Sequence, residues 1–171
     1  DPVWKNVRWL LSTSSEPAFF IEDMTQSPFN IGLRVELASF TFDETRDFAG
    51  RCGLSPDSDM LGRIMDYTGG HPYLVHLLFY HMALEPDSFE CYMDAGTAGN
   101  NIFSGHLRRF LAQFQKEPGL AGAMKKVIKG KGCKDVRMAD RLEAAGLITR
   151  DASQKPVCLC SLYADYFGKE L

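Results

Sequence analysis

The stretch whose reading decides the fold is Arg141-Leu142-Glu143-Ala144-Ala145-Gly146-Leu147-Ile148-Thr149-Arg150-Asp151. Its first half continues a helical pattern in which Val136, Ala139 and Leu142 face inward, and Gly146 is the residue type that most readily closes a helix. Its second half, Leu147–Arg150, reads as a short strand. Asp151-Ala152-Ser153-Gln154-Lys155 is a turn-forming run, and Pro156–Cys160 reads as the returning strand. A helix that passes straight into a two-stranded hairpin suggests a wing, and the neighbouring segments decide whether it is one.

Upstream, Leu107, Phe110, Leu111 and Phe114 stand at i, i+3, i+4 and i+7, the spacing of an amphipathic helix, which Glu117-Pro118 ends. Leu120, Met124, Val127 and Ile128 form the next helix, broken by Gly130-Lys131-Gly132, and a third is predicted from about Lys134 to Ala145. Downstream, Leu162, Tyr163, Tyr166 and Phe167 mark a closing helix. Three helices, a hairpin and a last helix are the order of a winged-helix domain, predicted over 99–171.

Charge agrees with a boundary at its start. Residues 1–100 carry six Lys/Arg against fifteen Asp/Glu, whereas 101–171 carry thirteen against seven. The sign changes at Gly96-Thr97-Ala98-Gly99-Asn100-Asn101, a loop-like run of small and polar residues. Before it, residues 41–98 read as helices. Thr41 with Glu44 has the form of a capping box, and the helix it opens ends near Cys52-Gly53. Ser55-Pro56 is expected to begin a second, with Met60, Leu61, Ile64 and Met65 on one face and Gly69-Gly70 at its end. His71-Pro72 starts a third, apolar nearly all round to Leu84, and a shorter one is predicted over Phe89–Asp94.

Residues 1–40 are different. Val7–Leu11 reads as a buried strand ended by Ser12-Thr13-Ser14-Ser15-Glu16-Pro17, and Ile31–Leu37 alternates as a second. Two strands alone make no stable sheet, so this segment is read as the end of an α/β domain that begins upstream. The absence of an initiator Met carries the same expectation. The fold class is therefore α+β and predominantly helical.

The composition, 45% hydrophobic and 24% charged, is that of a soluble globular chain. The longest mostly apolar run, Tyr73–Leu84, is far shorter than the roughly 20 residues a bilayer needs. Five cysteines without regular spacing predict a cytoplasmic protein with neither a disulfide framework nor a four-ligand zinc site. His71, His76 and His81 are five apart and do not share a helix face, which favours packed or capping histidines over a metal pair. A phosphate-gripping loop requires G-x-x-x-x-G-K-[ST]. The Gly-Lys pairs, Gly130-Lys131 and Gly168-Lys169, are followed by Gly132 and Glu170 and do not fit it. This chain alone is not expected to act as an ATPase, and no catalytic or metal-binding residue is assigned.

Three phrases, QSPFNIGLRVELASFTFDE (26–44), YTGGHPYLVHLLFYHMA (67–83) and CSLYADYFGKEL (160–171), resemble the AAA-like branch of the STAND NTPases, signal-transduction ATPases with numerous domains. The resemblance implies the latter part of such a protein: the end of the nucleotide-binding core (1–40), a helical lid (41–98) and a winged helix (99–171). It implies a nucleotide-dependent signalling switch, with ATP or ADP and Mg²⁺ held by an upstream P-loop core of the same parent chain. Self-association or effector domains are the partners it implies. Gly70, His71 and Pro72 fall on the lid motif that lies against base and ribose. Ser12, Thr13 and Ser14 fall on a phosphate-sensing strand end, where Glu16 stands in place of the arginine of many relatives.

DNA binding by the winged helix is the alternative, with Lys134, Arg137 and Arg141 as the contacts a recognition helix would offer. Asp135, Asp140, Glu143 and Asp151 interrupt that basic surface, which makes a solvated face, or one docked on the acidic first hundred residues, the preferred reading. A plain interaction scaffold is the third.

Overall fold

The computed structural model describes residues 37–94 and 101–171, together with Val7, Leu10, Leu33 and Val35. The chain divides into two compact units, Asp1–Val35 and Glu36–Leu171. Of the two strands expected in residues 1–40, Val7, Leu10, Leu33, Val35 and Leu37 are described, and none belongs to a strand. Leu33 and Leu37 are 94% and 91% exposed.

The second unit is helical, with one small antiparallel sheet. Helix α1 (Phe42–Arg51) opens as its sequence dictates: Thr41 accepts from the Glu44 N–H, and the Glu44 carboxylate accepts from the Thr41 N–H. Helix α2 (Ser58–Thr68) starts later than Ser55-Pro56 suggested, because the Asp57 side chain caps it by accepting from the Met60 N–H at 2.8 Å. Helix α3 (Pro72–Leu84) buries Leu74, Val75, Leu78, Phe79 and Met82. A single 3₁₀ turn, Pro86–Ser88, then leads into α4 (Phe89–Asp94).

Asn101 opens the remaining part. Its side-chain oxygen accepts from the Phe103 N–H at 2.8 Å, just before α5 (Ser104–Lys116). Helices α6 (Pro118–Ile128) and α7 (Val136–Ala144) follow, then β1 (Ile148–Arg150), β2 (Pro156–Cys158) and α8 (Ser161–Glu170). The strands pair Ile148 with Cys158, Thr149 with Val157 and Arg150 with Pro156. Their turn is held by Asp151, whose carboxylate accepts from the Ser153 and Lys155 N–H groups. Val136 was expected inward with Ala139 and Leu142. It is instead 67% exposed, because it is the first residue of α7 and lies beyond the turn that packs.

Helix α6 is central to this part and touches α5, α7, α8 and β2, while α2 touches α1, α3 and α8. One continuous buried cluster therefore runs from Ala49 in α1 through Leu74, Phe79, Phe103 and Met124 to Phe167 in α8. No described helix is long and apolar enough to cross a membrane.

Candidate functional site

The residues that join the two ends of this core are Gly69, Gly70, His71 and Pro72. Helix α2 ends with Gly69 in the left-handed region (φ 62°), where its N–H returns to the Met65 carbonyl at 2.7 Å. Gly70 is also left-handed (φ 66°), a conformation that an L side chain adopts only at a cost. Both are glycine for a second reason. A Cβ on Gly69 would lie 2.6 Å from the Leu159 carbonyl oxygen, and one on Gly70 would overlap the carbonyl oxygen of Phe40. The corner is pressed between the segment entering α1 and the segment leaving β2.

Its polar groups are used internally. The Gly70 N–H donates to the Thr68 hydroxyl, which itself donates to the Ile64 carbonyl, and the Gly70 carbonyl accepts from the Phe40 N–H at 2.8 Å. His71 caps α3: its Nδ1 accepts from the Tyr73 N–H at 3.2 Å, and its carbonyl accepts from the Val75 N–H. Pro72, at the first helical position, has no N–H to satisfy. Gly70 is buried, whereas Pro72 and Tyr73 are exposed.

The His71 ring turns toward the C-terminal elements. It meets His106 of α5 edge-on at 5.7 Å between ring centres and Tyr163 of α8 at 6.5 Å, and Gly146 leaves room beside its Nε2 edge. His106 is layered between Tyr73 and Tyr163, with ring centres at 5.0 and 5.8 Å, and its Nε2 lies 2.7 Å from the Tyr163 hydroxyl. Burial holds the His71 imidazole below its ordinary pKa. Burial, with His71 and Arg109 adding positive charge nearby, pushes His106 down to about 4. Burial likewise raises the Tyr163 phenol. Both rings are neutral near pH 7. His76 stacks on Phe48, and His81 lies against Tyr80 and Tyr92, so these two histidines pack rather than ligate.

Sequence spacing found Gly70, His71 and Pro72 but not His106, Gly146 or Tyr163 as their neighbours. His106 has no second titratable residue at i±4 to draw attention to it, and only the tertiary fold brings α5 to the start of α3. Ser12, Thr13 and Ser14 lie outside the described residues.

The basic surface is built differently. Lys134 and Arg137 are exposed at the start of α7. Arg141 is not available as a third contact of the same kind. Its guanidinium grips Glu117 through two bonds of 2.5 and 2.9 Å, which raises its own pKa and lowers that of Glu117. Arg150 is likewise held by Asp140 and Glu143. The Arg141–Glu117, Arg150–Asp140 and Arg150–Glu143 pairs thus all close within the basic half. Among the described residues, no three His, Cys, Asp or Glu side chains converge as metal ligands.

Residues 1–169 match a family described as AAA-like domain. Among curated proteins, an uncharacterized WD repeat-containing protein of Synechocystis sp. is 33% identical over 78 residues, which is 43% of this chain and 6% of that protein. The chain thus spans only a small fraction of that relative's length. No solved structure matches it.

Proposed function

We propose, on the premise that this chain belongs to the family of AAA-like domains, that residues 41–171 are the regulatory lid and winged-helix portion of a STAND-type signalling switch. On this reading a P-loop core in the same parent protein holds ATP or ADP with Mg²⁺. The start of α3 lies against base and ribose, and lid movement exposes surfaces for self-association or for effector domains. Ser12, Thr13 and Ser14 would sense the outer phosphate. The setting is cytoplasmic.

The observation that carries the reading is the division of work within five residues. Gly69, Gly70 and His71 hold the corner together, while Pro72 and the side of the Tyr73 ring that does not stack on His106, next along the chain, face outward. A helix start that served packing alone would bury those residues too. An exposed proline and an aromatic ring form a platform on which a base and a sugar can rest. A chain that lacks G-x-x-x-x-G-K-[ST] has no means of gripping the phosphates by itself.

The test has two arms. The 171-residue chain should neither hydrolyse ATP nor gain thermal stability from ATP or ADP with Mg²⁺. In the parent protein, Pro72→Ala should weaken ADP binding several-fold without lowering the melting temperature, whereas Tyr73→Ala should weaken it and also lower the melting temperature, because that ring stacks on His106. Hydrolysis by the chain alone, or ADP affinity indifferent to both substitutions, overturns the reading.

A further inference from the structure

His71 and His106 meet across the corner although they come from opposite halves of the helical body. His71 is committed to a contact that requires a bare nitrogen, and His106 is enclosed among aromatic rings. His71 Nδ1 accepts from the Tyr73 N–H, so a proton there would abolish the cap of α3. His106 lies between two tyrosine rings, with Phe110 against its edge and its Nε2 at the Tyr163 hydroxyl.

The surroundings offer a new charge nothing. The titratable and charged groups that bear on the pair are the two imidazoles themselves, Tyr73 on α3, Arg109 on α5 and Tyr163 on α8. Cys158 and Cys160 act in turn on Tyr163, and the α7–β1 turn contributes the uncharged Gly146. Among the described residues, no carboxylate is among the groups acting on either imidazole. A proton arriving on one ring would meet the other ring and a guanidinium with no counter-charge.

We propose that the His71–His106 pair is a protonation-released latch: the 37–94 helices stay docked on α5 and α8 while both rings are neutral, and protonation of either loosens that joint. This holds whether or not the corner also meets a nucleotide. The sign follows from linkage. The docked state binds fewer protons than the undocked one, so docking is complete above the ordinary histidine pKa of about 6.5 and weakens as pH falls toward about 4. The largest possible slope is about tenfold in the docking equilibrium per pH unit for each histidine.

Pulsed amide hydrogen exchange read by mass spectrometry, corrected for the intrinsic rate and run on the whole chain from pH 7.5 to 4.5, tests this beside far-ultraviolet circular dichroism. Protection should fall selectively in peptides covering 70–76, 103–110 and 160–166, while 118–128 and the helical signal hold. His106→Phe, which keeps an aromatic ring, and His71→Asn, which keeps a capping oxygen, should each flatten the acid response. Tyr163→Phe disturbs the same packing but leaves the proton acceptors, so it should retain the response. If His106→Phe lacks native helicity at pH 7.5, His71→Asn decides the matter. Loss of protection in all helices together, no selective loss, or flattening by Tyr163→Phe equal to that by the histidine variants overturns the proposal.

Discussion

The corner at Gly69–Tyr73 and the basic end at Lys129–Arg137 are alike in sequence, each a short run between helices rich in glycine and polar or chargeable groups. In space they are opposites. At the corner nearly every polar group finds a partner inside the protein, two glycines touch backbone from distant segments, and two histidines are kept neutral. At the basic end Gly130 has nothing within 4 Å of the place a Cβ would occupy, and Lys131, Lys134 and Arg137 face water. Composition does not separate a joint from a solvated surface. What crosses the gap to another element does.

The largest effect that could break this contrast is at Gly70. Gly70→Ala forces an L residue into φ 66° and drives a methyl group into the Phe40 carbonyl oxygen. The conformational cost of about 1–2 kcal/mol and an overpacking cost of about 1–3 kcal/mol together give a loss of about 3 kcal/mol, read as a lower urea midpoint. Gly62, inside α2 with nothing within 4 Å, is the control. Gly62→Ala should stabilise by about 0.5–1 kcal/mol through helix propensity alone. If both changes act alike, the corner is no joint.

A smaller loss is expected where the basic half caps its own helix. The Asp135 carboxylate accepts from the Met138 N–H at 3.2 Å at the start of α7. Asp135→Ala should cost about 1 kcal/mol in thermal unfolding and should leave α1–α3 as protected from exchange as before. Loss of protection at the corner as well would mean that the two regions are more tightly coupled than their contacts suggest.

Next in size is the Glu117–Arg141 pair, with side chains 38% and 22% exposed. Arg141 holds the Glu117 carboxyl below its ordinary pKa, so the pair stabilises the fold above about pH 4.5 and is lost as pH falls through the lowered value. Solvent screening keeps its worth to about 0.5 kcal/mol. Glu117→Gln should therefore lower stability slightly at pH 7, and the difference should shrink as pH falls below about 4.5. The histidine latch acts over higher pH, from about 6.5 downward, so the two titrations can be told apart.

How much of this was legible follows from range. Thr41 with Glu44, Gly69-Gly70 after α2, the apolar run of α3 and the hairpin after Gly146 are all marked by patterns within about ten residues, and each stands where its spacing placed it. Asp57 was passed over as a cap because Ser55-Pro56 offered the stronger helix-start signal, although Asp57 supplies the side-chain bond. The packing of Gly69 on Leu159 and of His71 on His106 has no counterpart in any local pattern. The candidate site was therefore visible as a motif, and its chemistry was not.

The smallest stability effect and the sharpest functional question fall on the same residues. Lys134→Glu and Arg137→Glu lie on an exposed face, so each should change stability by less than about 0.5 kcal/mol. A recognition helix would depend on them. With Arg141 held by Glu117, Lys134 and Arg137 are what remains of the three recognition-helix contacts to meet phosphate. Two such contacts give only a shallow dependence of affinity on salt, about −0.9 in log–log slope for each phosphate neutralised. Titration against duplex DNA should thus show at most weak binding at 50 mM salt that vanishes by 200 mM. Tight binding that survives 200 mM salt and is lost in the double charge reversal would show that the outward-facing end, and not the corner, is where this protein meets its ligand.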